Sequence, residues 1–430
     1  MENIGSSIYK LAQELWPLNR SITGEGARAT LLKIQEIVPP LNIFEVSSGT
    51  KVFDWTVPDE WYVDDAYIVK PCGKKICHFK NNNLHLVGYS APVNKKISLG
   101  ELQEHLHSLP DQPTAIPYVT SYYQKCWGFC ISHEDRQLLE DGEYHVVIES
   151  RLFKGVLNYG ELLIKGQSDK EIFLSSYICH PSMANNELSG PTVLAYLSKW
   201  LLSLKTHRYS YRIILVPETI GSIVYLSENY VQMKKNVVAG FNISCVGDDR
   251  AYSYVPSRRG DTPSDCVARH VLKWTDPHYC HYSWSDRGSD ERQYCSPGID
   301  LPIASICRSK YGSYPEYHTS LDVLGNVVTS EGLQGGYNVL RRSIEVLENN
   351  RIPSMTVLCE PQLGKRGLYP DLSIKGSADK VQLMMDFISW CDGTKTLLEI
   401  SEILNVPVWE LYGLSSSLQD EKLIVNSDMD

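Results

Sequence analysis

The chain has 430 residues, 43% hydrophobic and 21% charged, enough for two or three globular domains with sizeable cores. Its 51 acids against 41 Lys and Arg give a formal charge of -10, which argues against any general attraction to nucleic acid or to an anionic membrane. No apolar run approaches the roughly 18 residues that span a bilayer, no basic-then-apolar leader pattern follows Met1, and none of the twelve cysteines forms a CxxC pair, so a reducing, cytoplasmic setting is expected.

Taken in chain order, apolar spacing predicts helices over Ile8–Trp16 and Ala27–Ile37, the second introduced by a turn at Thr23-Gly24-Glu25-Gly26. From Phe53 to Ile148 the texture changes to short strand-like pieces rich in Tyr and Trp, broken by turns such as Asn81-Asn82-Asn83 and Asp141-Gly142. That is an inserted β-rich domain. Within it, the segment from Ile116-Pro117-Tyr118 to Tyr123 reads either as the aromatic core of a small sheet, the commoner case, or as an overhang above a pocket.

Strand and helix alternate from Val156 to Leu347, the pattern of an α/β domain with a mixed, mostly parallel sheet flanked by helices. Phe173 to Ile178 reads as a buried strand delivering His180 and, seven residues on, Glu187; a turn at Ser189-Gly190 and a helix over Thr192–Leu202 follow. The next apolar run, from Tyr211, ends in Glu218 and a turn at Gly221, and Val237 to Val246 ends in Asp248 and Asp249. Much later, Glu316-Tyr317-His318-Thr319-Ser320-Leu321-Asp322 brings a second histidine among acids. Ligands collect at the carboxyl ends of strands in open α/β sheets. Imidazole with carboxylate suits a borderline cation such as zinc, with one position left open for water. Taken singly, His180 reads as a hydrogen-bonded structural residue and Glu218 as a helix cap.

After Asn349-Asn350-Arg351-Ile352-Pro353 an extended link leads to three helical patterns, Lys380–Trp390, Leu397–Leu404 and Val408–Gln419, and a terminal strand, Lys422–Val425, which together read as a winged helix. From Gly364 to Asp430 there are six Lys and Arg against eleven Asp and Glu, a net of -5, whereas a groove-reading helix needs a basic face. An interaction or dimerisation role, with a homo-oligomer as its product, is expected before DNA binding.

The order of motifs from about residue 160 to 345 resembles the zinc-dependent aminopeptidases of the bacterial leucyl aminopeptidase type. Nearly the whole chain resembles a bacterial group of aminopeptidase-like proteins, on Leu18-Asn19-Arg20-Ser21-Ile22-Thr23-Gly24, Phe53-Asp54-Trp55-Thr56-Val57-Pro58, Ile116 to Tyr123 and His180-Pro181-Ser182-Met183. The resemblance implies a catalytic domain over 1–50 and 151–360, an inserted β-rich domain over 51–150 and a winged-helix domain over 361–430. It matches His180 and His318 to metal histidines and Glu218 to the general base on metal-bound water. The bridging aspartate falls on Asn186, so Glu187 is taken as the carboxylate ligand; Ser244 stands where another aspartate is expected, so Asp248 is the candidate; Thr219 replaces a second glutamate. One zinc is therefore expected rather than two. Arg259, Asp290, Glu291 and Tyr317 are the candidates for holding the charged ends of a substrate. The implied activity is cleavage of an amide or peptide bond in a small peptide or aminoacyl substrate. The rivals are amide hydrolysis of a specialised metabolite or sugar precursor, and a catalytically silent binding protein.

Overall fold

The computed structural model describes residues 3–368 and 377–428, and these fall into two compact units, 1–265 with 279–338 and 266–278 with 339–430. The first unit is built on an eight-stranded sheet with the order Asn42–Ser47, Val156–Ile164, Ser210–Val216, Glu171–Tyr177, Val237–Asn242, Ile303–Cys307, Ser253–Val255 and Cys280–His281. All seven residues of Glu171–Tyr177 and of Ser210–Val216 are buried, as central strands covered on both faces require. Glu171–Tyr177 runs parallel to both neighbours, pairing Tyr177 with Val216 and Ser175 with Asn242. Its carboxyl end therefore opens beside theirs.

Two expected turns are absent. Ala184–Leu188 forms a wide helical turn that runs directly into the helix Ser189–Ser203. Gly190 lies inside that helix, where an added Cβ would stand 2.4 Å from Ser176 Oγ and 2.5 Å from the Ile243 carbonyl. The glycine thus serves close packing of helix on sheet rather than chain reversal. Gly221 is likewise helical, within Ile220–Asn236, and the reversal falls on Thr219 at φ 66°.

Inside residues 51–150, Glu60–Val69 pairs antiparallel with Glu143–Phe153, flanked by Val93–Ser98 and Lys75–Ile76. Trp61, Tyr89 and Tyr144 are buried there. The second unit contains the helices Ser377–Trp390, Leu397–Leu404 and Trp409–Asp420, with Ile424–Ser427 antiparallel to Ile352–Met355. Leu397–Leu404 opens on a capping box between Thr396 and Glu399. Residues 369–376, which begin at the last residue of the link expected over Val357–Tyr369, lie outside the described residues. Among the described residues no helix is long and apolar enough to cross a membrane.

Candidate functional site

Asp322 assembles the site. Its buried carboxylate accepts from the backbone N–H groups of Asn185 (2.8 Å) and Asn186 (2.9 Å) and from the Tyr314 hydroxyl (3.0 Å). Those donors tie the loop after the first strand to the loop carrying His318. Burial pushes the Asp322 carboxyl up to about 6, with the three donors pulling against it. The His180 and His318 rings then lie 5.6 Å apart, centre to centre.

The inserted segment closes this pair from one side. Tyr118 N–H donates to the His318 carbonyl at 2.8 Å, and Pro117 bridges to Thr319. The Tyr118 ring stands edge-on to both imidazoles, 5.2 Å from each, and its hydroxyl meets that of Tyr122 at 2.7 Å. Tyr317, an expected substrate residue, stacks on His318 at 3.9 Å.

His180 has two different faces. Its Nδ1 lies 3.0 Å from Glu187 Oε2, while Nε2 lies 3.6 Å from Glu218 Oε2. A carboxylate can only accept, so Nδ1 carries a proton toward Glu187, and Nε2 is the nitrogen turned to Glu218. Glu187 thus sits behind the ring, in the place where a carboxylate orients a ligating histidine. It is also held by Arg20, whose Nε is 3.3 Å from Oε1 with both side chains wholly buried. Burial lowers the His180 pKa, but Cys179 and Glu187 outweigh it and the net shift is upward. His318 goes the other way, to about 3, through burial and the neighbouring His180. Its neutral Nε2 is buried and has no hydrogen-bond partner.

Glu218 leads into the helix Ile220–Asn236, its side chain 20% exposed, and burial raises its pKa against the pull of His180 and Arg292. Asp290 lies alongside. Its Oδ1 accepts from Thr219 N–H (2.7 Å) and Ser222 Oγ (2.8 Å), while Oδ2 is buried without a partner. Burial and the Glu218 charge push Asp290 up to about 8.

Two expected site residues are otherwise engaged, and a third has no partner among the described residues. Asp248 accepts from Asn185 Nδ2, Ser309 N, Ser309 Oγ and Arg250 N, all at 2.8–2.9 Å, so its carboxylate braces loops and is not aimed at the histidines. Glu291 is equally saturated, by Asn242, Gly288, Ser289 and Tyr311, and is wholly buried, so no substrate ammonium can reach it. Arg259 is exposed and makes no hydrogen bond or ion pair among the described residues. Asn186, Thr219 and Ser244 supply no anionic ligand.

At most two protein donors, the imidazoles of His180 and His318, could share a cation here: with Glu218 they do not bring three ligand atoms mutually within 4.8 Å. Two imidazoles bound to one zinc at about 2.0–2.1 Å would hold their ring centres roughly 5–6 Å apart, and the observed 5.6 Å agrees. The unpartnered His318 Nε2 asks for such an acceptor of its lone pair. Among the described residues the one cluster with three donor atoms mutually within 4.8 Å is Cys179, His180 and Glu187. It lies on the Nδ1 side of the ring, beside the Arg20 guanidinium, and burial holds the Cys179 thiol up at about 11. A cation is disfavoured there by like charge.

The family described as a domain of unknown function (DUF4910) matches residues 9–350, and a winged helix-turn-helix family matches 351–426. A Clostridium acetobutylicum protein, named provisionally for polysaccharide biosynthesis with an aminopeptidase-like domain, is 44% identical over 401 residues, 92% of this chain and 91% of its own. A solved structure from Clostridium acetobutylicum, provisionally described as a peptidase, superposes with a TM-score of 0.92 at 40% identity, covering 98% of this chain and 96% of that one. The zinc aminopeptidase BSAP of Bacillus subtilis superposes at 0.60 with 13% identity, covering 80% and 94%. A peptidase M28 precursor of Shewanella amazonensis gives 0.58 at 13%, covering 83% and 95%, and at such identities the likeness is one of fold.

Proposed function

The chain belongs to the DUF4910 family, and from that premise we propose that it is an amide hydrolase assisted by a single divalent cation. The observation that carries the reading is the pairing of His180 Nε2, 3.6 Å from Glu218 Oε2, with a neutral, unpartnered His318 Nε2. His180 and His318 would hold the ion. A bound zinc-type cation polarises an amide carbonyl and lowers the pKa of its water toward about 7.

Glu218 supplies the proton chemistry. Its raised pKa suits a carboxylate that takes one proton from the attacking water and returns it to the leaving nitrogen as the C–N bond breaks. Asp290 keeps that carboxylate in place by capping the backbone at Thr219, the left-handed residue between Glu218 and its helix. Tyr118 and Tyr317 wall the histidine pair and exclude water from one side.

The substrate proposed is a small aminoacyl amide, or the amide of an amino sugar, the second favoured by the name of the Clostridium acetobutylicum relative. With no carboxylate at positions 186, 219 and 244, the ion would be held more loosely than in a site with three protein ligands. Cation titration of the full chain, followed by hydrolysis assays on aminoacyl and N-acyl-amino-sugar amides, tests this. One equivalent of zinc should bind, a chelator should abolish hydrolysis, and Glu218→Gln should cut turnover by about 10²–10⁴ with zinc still bound. A chain that binds no divalent cation, or a Glu218→Gln variant with full activity, refutes the proposal.

A further inference from the structure

The segment Leu18-Asn19-Arg20-Ser21-Ile22-Thr23-Gly24 joins the helices Ile4–Leu15 and Glu25–Ile37 and adds no side chain beside the two imidazole nitrogens of the pair, yet it sends a guanidinium into the centre of the domain. Arg20 is 1% exposed. Its Nη1 donates to the Leu15 carbonyl at 2.6 Å and its Nε to the His180 carbonyl at 3.0 Å, and the same Nε stands 3.3 Å from Glu187 Oε1. The segment is pinned on its other side, where Thr23 Oγ1 bonds the Tyr89 hydroxyl and accepts from the Trp61 N–H. Burying a guanidinium is expensive, and here it is compensated by contacts concentrated on His180 and on the carboxylate behind it.

We infer that Arg20 is a positioning residue for His180, holding Glu187 as an acceptor so that the imidazole keeps its proton on Nδ1 and turns Nε2 toward Glu218. The inference rests on the proposed role of His180 Nε2 as a donor to a cation. The Arg20 guanidinium has donors only; its Nε proton goes to the His180 carbonyl, and its charge faces Glu187 Oε1 at 3.3 Å as an ion pair, with Oε1 accepting no hydrogen bond. One carboxylate oxygen faces Arg20 and the other is left to Nδ1. Because the same guanidinium grips the His180 carbonyl, the backbone at the strand end and the ring's orienting acid are held by one rigid fork. A lysine, a single point charge on a flexible stem, cannot serve Leu15, His180 and Glu187 together.

The test is nitrogen NMR of metal-free protein carrying ¹⁵N-labelled histidine, with the His180 signals assigned by His180→Asn and the ring titrated to its neutral form. In the wild type Nδ1 should be the protonated nitrogen and Nε2 the bare one. In Arg20→Gln and in Glu187→Gln the signals should move toward averaging between the two tautomers, and zinc affinity should fall by about tenfold or more. Arg20→Lys should lie between. Should Arg20→Gln fail to fold, Glu187→Gln and Arg20→Lys carry the same readout. A folded Arg20→Gln or Arg20→Lys protein, or Glu187→Gln, with an unchanged His180 tautomer overturns the inference and leaves Arg20 a strut. The tautomer is read without metal or substrate, so a chain that proved unable to hydrolyse amides would still give an independent answer.

Discussion

Replacing Asp290 by Asn should make the protein progressively more stable than the wild type as pH rises. Asp290 is wholly buried, faces the Glu218 carboxylate, and has one oxygen with no donor at all. Its carboxyl, ordinarily near 3.8, is pushed up to about 8 by burial and by Glu218. Between those values the folded chain keeps a proton that the unfolded chain has released. Stability therefore falls with rising pH across that window, by about 1.4 kcal/mol per pH unit for one proton. From pH 5 to pH 8 the wild type should lose up to about 4 kcal/mol, an upper bound because Glu218 shares the proton. Asparagine keeps the acceptor used by Thr219 and Ser222 and removes the titration. Urea denaturation of both proteins, metal-free, at half-unit steps from pH 5 to 8 measures the difference. Two stability curves that run parallel over this range would show that Asp290 does not hold a proton in the fold, and would remove the basis for pairing it with Glu218.

Tyr118→Ala removes a ring in edge contact with both imidazoles, at about 0.5–1.5 kcal/mol for each contact. Steady-state assays on the folded variant should show kcat/KM lowered by about 10- to 100-fold, alongside a lowered denaturation midpoint from the two lost ring contacts, whereas Tyr118→Phe should stay within a few-fold; full activity in the alanine variant would remove the inserted segment from the site. Gly190→Ala forces a methyl group to 2.4 Å from Ser176 Oγ and 2.5 Å from the Ile243 carbonyl. Thermal denaturation should show a loss of about 1–3 kcal/mol, and an unchanged midpoint would mean that the helix is free to lift from the sheet.

Much of the scaffold was legible because burial leaves a plain trace. An unbroken apolar run such as Phe173 to Ile178 can only be a covered strand or a buried helix, and its length decides for the strand. The residue at its end is then placed at the mouth of the sheet, which is what singles out His180 and Glu218, whereas His318 is marked by its acidic flanks and by the resemblance. Direction was not legible. Nothing in the spacing of His180 and Glu187 tells whether the acid shares a cation with the ring or braces it from behind, because that depends on Arg20, 160 residues away from His180. Asp248 and Glu291 carry the same ambiguity, since a buried carboxylate saturated by four donors is written with the same letter as a ligand. Gly190 and Gly221 suggested turns because glycine answers two needs, positive φ and close approach, and here the second applies. For Tyr118 the sequence admits two readings, overhang and sheet core, and the second carries more weight because aromatic residues in a β-rich insertion ordinarily fill its core. The signal that could have singled it out is the Pro117-Tyr118 segment's lack of strand alternation.

Asp322 sits 137 residues beyond the Asn185 amide that it holds. At a synthesis rate of about 5–20 residues per second, roughly 7–30 s pass between the emergence of the first histidine loop from the ribosome and that of its fastener. Until Asp322 is made, the Asn185 and Asn186 amides lack the acceptor that ties their loop to the one carrying His318. The two histidine loops are thus joined by a residue that is synthesised after both of them.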